Sequence, residues 1–415
     1  MNRLPGLDLL RAIAIVWVML FHSFVAGGLG ERHEWLSRYG WMGVDLFFVL
    51  SGYLIGSQLL KPLARGEPLA FGDFYLRRAF RVLPAFLAVL ALYFTVPSFR
   101  EADGIQPMWQ FLTFTVNFLI DYEHNKAFSH VWSLCVEEHF YLVFPALAWW
   151  LTRRPSSARF VAVCVALLLA GMAIRGYVWL FQMAPVRDLE GVARGFGQRY
   201  IEDIYYPTYT RLDGLLAGVV LATVRVYRPQ AWARMLTSAN LLLVAGVMVV
   251  GMSMWLFRDR TGLVGNVFGF PVLSAGLALL VAAAASRDGW IGKARVPGAG
   301  WVALASYSLY LVHKQVFHFV STVFGAALEG RGLAAFVVYA AVTLLAGALL
   351  YYGVERPFLR LREGLARRRP AQAPSPAAAA GKASAGQQEG AGATVVSSPL
   401  RQAAGQPTTT VEPHG

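Results

Sequence analysis

Residues 6–22 read GLDLLRAIAIVWVMLFH. This run is apolar enough and long enough to cross a bilayer as a helix, since about 20 residues at 1.5 Å each span roughly 30 Å of hydrocarbon. It contains Arg11 and His22 and no A-x-A cleavage site follows it, so it reads as a retained span and not as a removable signal. The same apolar length recurs along the chain. Working outward from the first run predicts ten spans, near 8–27, 43–60, 79–97, 131–151, 159–182, 207–227, 237–257, 264–285, 301–325 and 333–355.

The whole sequence agrees with that reading. Of 415 residues, 56% are hydrophobic and only 15% charged, with mean hydropathy +0.48. Soluble domains carry about 25% charge. A soluble enzyme is excluded, and so is disorder outside the Ala-, Pro-, Gly-, Ser- and Gln-rich stretch at the end. The net charge of +13 does not point to nucleic acid, because the basic residues lie in short loops between spans.

Charge also orients the chain. With ten spans and a cytoplasmic N-terminus, 21 of the 37 Lys and Arg fall in inner segments, against 10 in outer loops. A weaker apolar stretch at 107–120, bounded by Pro107 and Asp121, would reverse this asymmetry if it crossed. It is therefore expected to be interfacial or re-entrant, with both termini cytoplasmic. The predicted fold class is an all-α polytopic membrane protein. Residues 1–362 form the membrane domain and 363–415 a disordered cytoplasmic tail, with no soluble catalytic domain appended. Cys135 and Cys164 fall inside spans and suggest buried thiols, no Cys/His spacing resembles a metal site, and no repeat suggests a transporter.

Ionisable residues inside a bilayer are costly, so each is a site candidate. Arg11 and His22 are 11 residues apart. At about 100° per residue they share one helical stripe, roughly 16 Å apart along the axis. In this topology His22 lies in the outer half, at a similar depth to Asp45, to Ser133 and Glu137 at i, i+4, and to Arg211 and Asp213. A polar cavity is expected there, with a carboxylate beside the imidazole of a general base. On the inner side, Arg78 and Arg81 share a face at the mouth of the third span, suited to phosphate. The ninth span carries Tyr307, Tyr310, His313 and Lys314. Glu355 and Arg356 read as an ion pair closing the tenth, and Gly265 with Gly269 as one GxxxG-type packing pair.

Seven segments in order resemble the acyltransferase family 3 membrane proteins. They are GLDLLRAIAIVWVMLFH (6–22), GVDLFFVLSGYLIG (43–56), FYLRRAFRVLP (74–84), WSLCVEEHFYLVFP (132–145), RLDGLLAG (211–218), SYSLYLVH (306–313) and VERP (354–357). The resemblance implies O-acylation of cell-surface glycans or small molecules. It carries the family's Arg–x10–His pair onto Arg11 and His22, its Arg–x–x–Arg onto Arg78 and Arg81, and its Trp-Ser-Leu-x-x-Glu onto Trp132, Ser133, Leu134 and Glu137. His139 stands where many relatives have Gln, which argues against a special role for it. Some relatives carry a hydrolase-like C-terminal domain, and without one transfer is expected to be completed within the membrane domain or by a separate extracytoplasmic partner.

The expected enzyme sits in the inner (cytoplasmic) membrane and holds no permanent cofactor. Cytoplasmic acyl-CoA, acetyl-CoA by family frequency, is the donor, held by Arg11, Arg78 and Arg81. The catalytic set is His22 as base with Asp45 or Glu137 orienting it. Trp132, Ser133, Arg211, Asp213, Tyr310, His313 and Lys314 line the cavity or meet the acceptor. The expected partners are acyl-CoA, a glycan or other hydroxyl acceptor and membrane lipids, but no nucleic acid. The rival reading is a transporter that uses the same charges to move a glycan or acylated product.

Overall fold

The computed structural model describes residues 4–25, 37–187 and 195–368. Backbone N–H and C=O groups in hydrocarbon have no water to bond, so apolar runs of this length close their hydrogen bonds internally as helices. Ten long helices form: α1 (Pro5–Val25), α2 (Met42–Ala64), α3 (Phe71–Thr95), α4 (Trp132–Arg153), α5 (Ser157–Val178), α6 (Asp213–Tyr227), α7 (Ala239–Leu256), α8 (Phe270–Ala285), α9 (Ala299–Leu328) and α10 (Leu333–Leu350). Among the described residues there is no strand, only an isolated bridge between Ile105 and Ala127.

Seven segments among the described residues are long and apolar enough to cross a membrane; they fall on α1, α2, α3, α5, α7, α8 and α10. The other three, α4, α6 and α9, are helical where spans are expected. Helix α6 is only 15 residues long, and α4 and α9 carry the polar side chains described below. The stretch 107–120 is broken into Met108–Leu112 and Val116–Leu119 around Phe114, whose φ is +56°. Neither piece is long enough to span.

Helix α2 is apolar nearly all round and buried along most of its length, from Met42 to Leu60. It packs against α6 through glycines: a Cβ on Gly52 would fall 2.2 Å from the Leu215 carbonyl, and one on Gly218 2.2 Å from that of Val49. Small residues let the two backbones approach closely, the usual device of helix pairs in lipid. Around this core, α5, α7 and α10 turn Val161, Leu169, Leu241, Met248, Leu345 and Leu349 outward. Such exposed apolar side chains make sense against lipid and not water. The chain is thus a polytopic helical membrane protein.

The chain divides into two units, Met1–Arg362 and Glu363–Gly415. The first holds all ten long helices. The second contributes only the end of the helix Arg356–Arg368 to the described residues, so the first six residues of the stretch expected to be a disordered tail are helical, and 369–415 lie outside the described residues.

Candidate active site

Five helices, α1, α2, α3, α4 and α9, enclose a cavity of about 140 Å³. Arg11, Arg78, Arg81, Ser51, Ser133, Glu137, Tyr141, Tyr307 and Tyr310 give it a polar wall, and Val44, Phe47, Phe48 and Leu134 an apolar one. Three guanidiniums from two helices thus meet in one space. Arg81 forms an ion pair with the buried Glu355, which also accepts from Ser308 Oγ at 2.6 Å. Arg78 stands 5.2 Å from the Tyr141 ring, its nearest hydrogen-bond acceptor being Gln58 at 3.5 Å. Glu137 accepts from Ser51 Oγ at 2.6 Å and from Tyr141 Oη at 3.2 Å.

The pairing of Glu355 corrects the expectation that it bonds Arg356. A π-helical turn at Tyr351–Glu355 ends α10 and leaves Glu355 buried, within reach of α3. Such turns recur at functional sites.

Beyond the cavity a chain of polar contacts runs to His22. Tyr310 Oη donates to the His130 carbonyl at 2.5 Å, so it accepts from Ser133 Oγ at 2.7 Å. His313, fully buried on the same helix as Tyr310, places Nδ1 2.7 Å from the Tyr310 carbonyl and Nε2 3.1 Å from His22 Nδ1. His22 Nδ1 also lies 3.0 Å from the Val18 carbonyl. Lys314 pairs with Glu101 at 3.5 Å and reaches Ser129 at 3.4 Å. Glu101 accepts in addition from Tyr93 Oη at 2.6 Å and the Phe128 N–H at 3.0 Å.

The structure therefore joins Arg11, Arg78, Arg81, Ser133, Glu137 and Tyr310 in one cavity, and joins His22 to His313. It does not bring Asp45 or Glu137 to His22. Asp45 bonds Arg211 at 2.7 Å, with side chains 3% and 1% exposed. Asp213 forms two hydrogen bonds with Arg175, at 2.8 and 3.0 Å. Arg211 also sits 5.2 Å from the Trp132 ring, which stacks on Tyr206. The expected shared polar cavity is thus divided: two carboxylates go to buried ion pairs near the α2–α6 contact, because a buried carboxylate is held by a guanidinium far better than by a neutral imidazole. His139 bonds Thr208 and stacks on Phe118, away from the cavity.

Sequence reasoning passed over Ser51, Tyr141, Glu101, Tyr93, His130 and Arg175. Arg175 is the one with a clear signal, a charge deep in a helix whose other charge, Arg159, lies in its first turn. It also missed Gly52 with Gly56 and Gly214 with Gly218, both at GxxxG spacing. Ser51 and Tyr141 had no signal, since a hydroxyl in a span is ordinary until its carboxylate partner is seen.

A polytopic helical bundle with a cation-lined cavity at its centre is the class of protein that fold and site define. Residues 4–352 match the family described as acyltransferase domain, and the chain belongs to that family. It is similar to O-acetyltransferase OatA of Staphylococcus aureus, strain NCTC 8325 / PS 47, at 27% identity over 85% of this chain. The OatA of strain COL matches equally, at 27% identity over the same share. The chain spans 57–58% of the length of the curated relatives it matches. No solved structure matches it significantly.

Proposed function

We propose that this chain is an integral-membrane O-acyltransferase of the inner membrane that moves an acetyl group from cytoplasmic acetyl-CoA to a hydroxyl of a cell-surface or exported glycan. One observation carries this reading: Arg11, Arg78 and Arg81 share a cavity whose far wall, Ser133 and Tyr310, leads through His313 to His22. The names of the relatives supply the acetyl group and the oxygen acceptor.

Acetyl-CoA is polyanionic and cannot cross lipid, whereas a surface glycan lies on the other side. The enzyme must therefore hold phosphates at one face and offer a base toward the other. Arg78 and Arg81 take the phosphates by charge-assisted hydrogen bonds, with Glu355 fixing the aim of Arg81. Arg11 steadies the thioester arm in the cavity, and Glu137 braces the wall through Ser51 and Tyr141. His22 takes the hydroxyl proton as the acceptor oxygen attacks the thioester carbonyl. The carbon–sulfur bond then breaks, and the same proton passes to the departing coenzyme thiolate. Asp45 and Asp213 hold helices together and take no part in this step.

The test compares mass spectra of surface glycans from cells carrying the wild-type chain, no chain, or His22→Ala. Acetyl esters should appear only with the wild type, at equal membrane levels. Esters of wild-type abundance with His22→Ala overturn the proposal.

A further inference from the structure

We infer that His313 is a positioning residue that, together with the Val18 carbonyl, holds the hydrogen of His22 on Nδ1 and leaves Nε2 of His22 as the atom that accepts the proton. The inference rests on the acyltransferase reading above.

The argument is one of donors and acceptors. A carbonyl oxygen only accepts, so a ring nitrogen that bonds one must carry hydrogen. His313 Nδ1 lies 2.7 Å from the Tyr310 carbonyl and is therefore N–H; in the neutral ring its Nε2 holds a lone pair. His22 Nδ1 lies 3.0 Å from the Val18 carbonyl, so it too is N–H. The 3.1 Å contact between His22 Nδ1 and His313 Nε2 then runs donor to acceptor, the single hydrogen on Nδ1 being shared between the Val18 carbonyl and the His313 lone pair. Two backbone carbonyls on two helices, α1 and α9, make the two rings agree. His22 is left with its lone pair on Nε2, which has no hydrogen-bond partner among the described residues.

This arrangement has a consequence for the reaction. When Nε2 of His22 takes the acceptor's proton, positive charge spreads to Nδ1–H, and its hydrogen bond to the His313 lone pair becomes charge-assisted and stronger. An interaction that strengthens only as charge develops raises kcat and leaves substrate binding nearly unchanged. His313 thus does with a neutral ring what a carboxylate does for the histidine of a serine hydrolase. The ring is buried, edge-on to His130 and Phe317 and tilted against Tyr310, and this packing holds it in place.

The experiment measures steady-state acetyl transfer by purified protein in proteoliposomes, with acetyl-CoA and a surface-glycan fragment, for wild type, His313→Leu and His313→Gln. The Gln amide oxygen can accept from His22 Nδ1–H; Leu cannot. The expected result is that His313→Leu lowers kcat about 10- to 100-fold, less than the ~10²–10⁴ of a whole general base. The KM for acetyl-CoA stays within about twofold, and His313→Gln recovers much of kcat. Wild-type kcat in His313→Leu overturns the inference, and so does a glutamine variant no better than leucine. If the leucine variant does not extract as monodisperse protein, His313→Asn, too short to reach His22, takes its place. Undiminished activity in His22→Ala would instead sink the acyltransferase reading itself, so the two failures are distinct.

Discussion

At the scale of single residues, burial decides which charges are free to act. Asp45 and Arg211 are both buried and bonded to each other. Removing one partner leaves the other charge stranded, at a cost of roughly 3–5 kcal/mol. Asp45→Ala should therefore lower the thermal midpoint of the detergent-solubilised protein sharply, and Asp45→Ala combined with Arg211→Met should recover part of that loss. A wild-type midpoint in Asp45→Ala would show that the pair holds nothing. Arg81 differs, being 30% exposed and facing the cavity while Glu355 behind it is 1% exposed. Glu355→Gln should raise the KM for acetyl-CoA several-fold with little change in kcat, because it loosens the aim of a donor-holding group and not the chemistry. An unchanged KM would separate Arg81 from donor binding.

At the scale of elements, the α2–α6 contact is the tightest test of the fold. Gly52 and Gly218 each face a backbone carbonyl of the other helix, which cannot step aside as a side chain can. Gly52→Ala and Gly218→Ala should each destabilise by about 1–3 kcal/mol, the usual cost of overpacking. Gly251 on α7 has nothing within 4 Å of an added Cβ. Gly251→Ala should be neutral or stabilising, since alanine is the better helix former by about 1 kcal/mol. Thermal midpoints of the three variants check this; equal effects would mean that helix propensity and not contact governs them. The ten helix positions were legible in the sequence because hydrocarbon leaves a polypeptide few choices. The α2–α6 pairing was not: the two glycine pairs went unread, and spacing within one helix does not say which helix it meets.

At the scale of the whole molecule, the proposal requires the guanidinium cavity to open toward the cytoplasm and His22 to lie nearer the outer face. In a background with Cys135 and Cys164 replaced by Ser, a single cysteine at exposed Ser156 should resist an impermeant thiol reagent added to intact cells. One at exposed Glu123 should react. The reverse pattern would turn the molecule over and put the cations on the wrong side for acyl-CoA. Helix α6 is shorter than the seven candidate spans, and α4 and α9 are long enough but less apolar. Helices α4 and α9 carry Ser133, Glu137, Tyr310, His313 and Lys314, so the polar side chains of the proposed site make them less apolar.

By itself the sequence determined that this is a helical membrane protein, where its long helices fall, and which few polar groups they contain, because apolar length and the cost of buried charge are local properties. It also carried the ordered motifs that resemble the family to which the chain belongs. Only the tertiary structure decided partnership. Asp45 and His22 were expected to meet because they share a depth, yet Asp45 faces Arg211 and His22 faces His313, 291 residues away in sequence. Depth follows from counting residues along one helix. Partnership depends on the rotation and neighbours of several helices, and those are settled by glycine contacts and ion pairs that form only when the bundle closes.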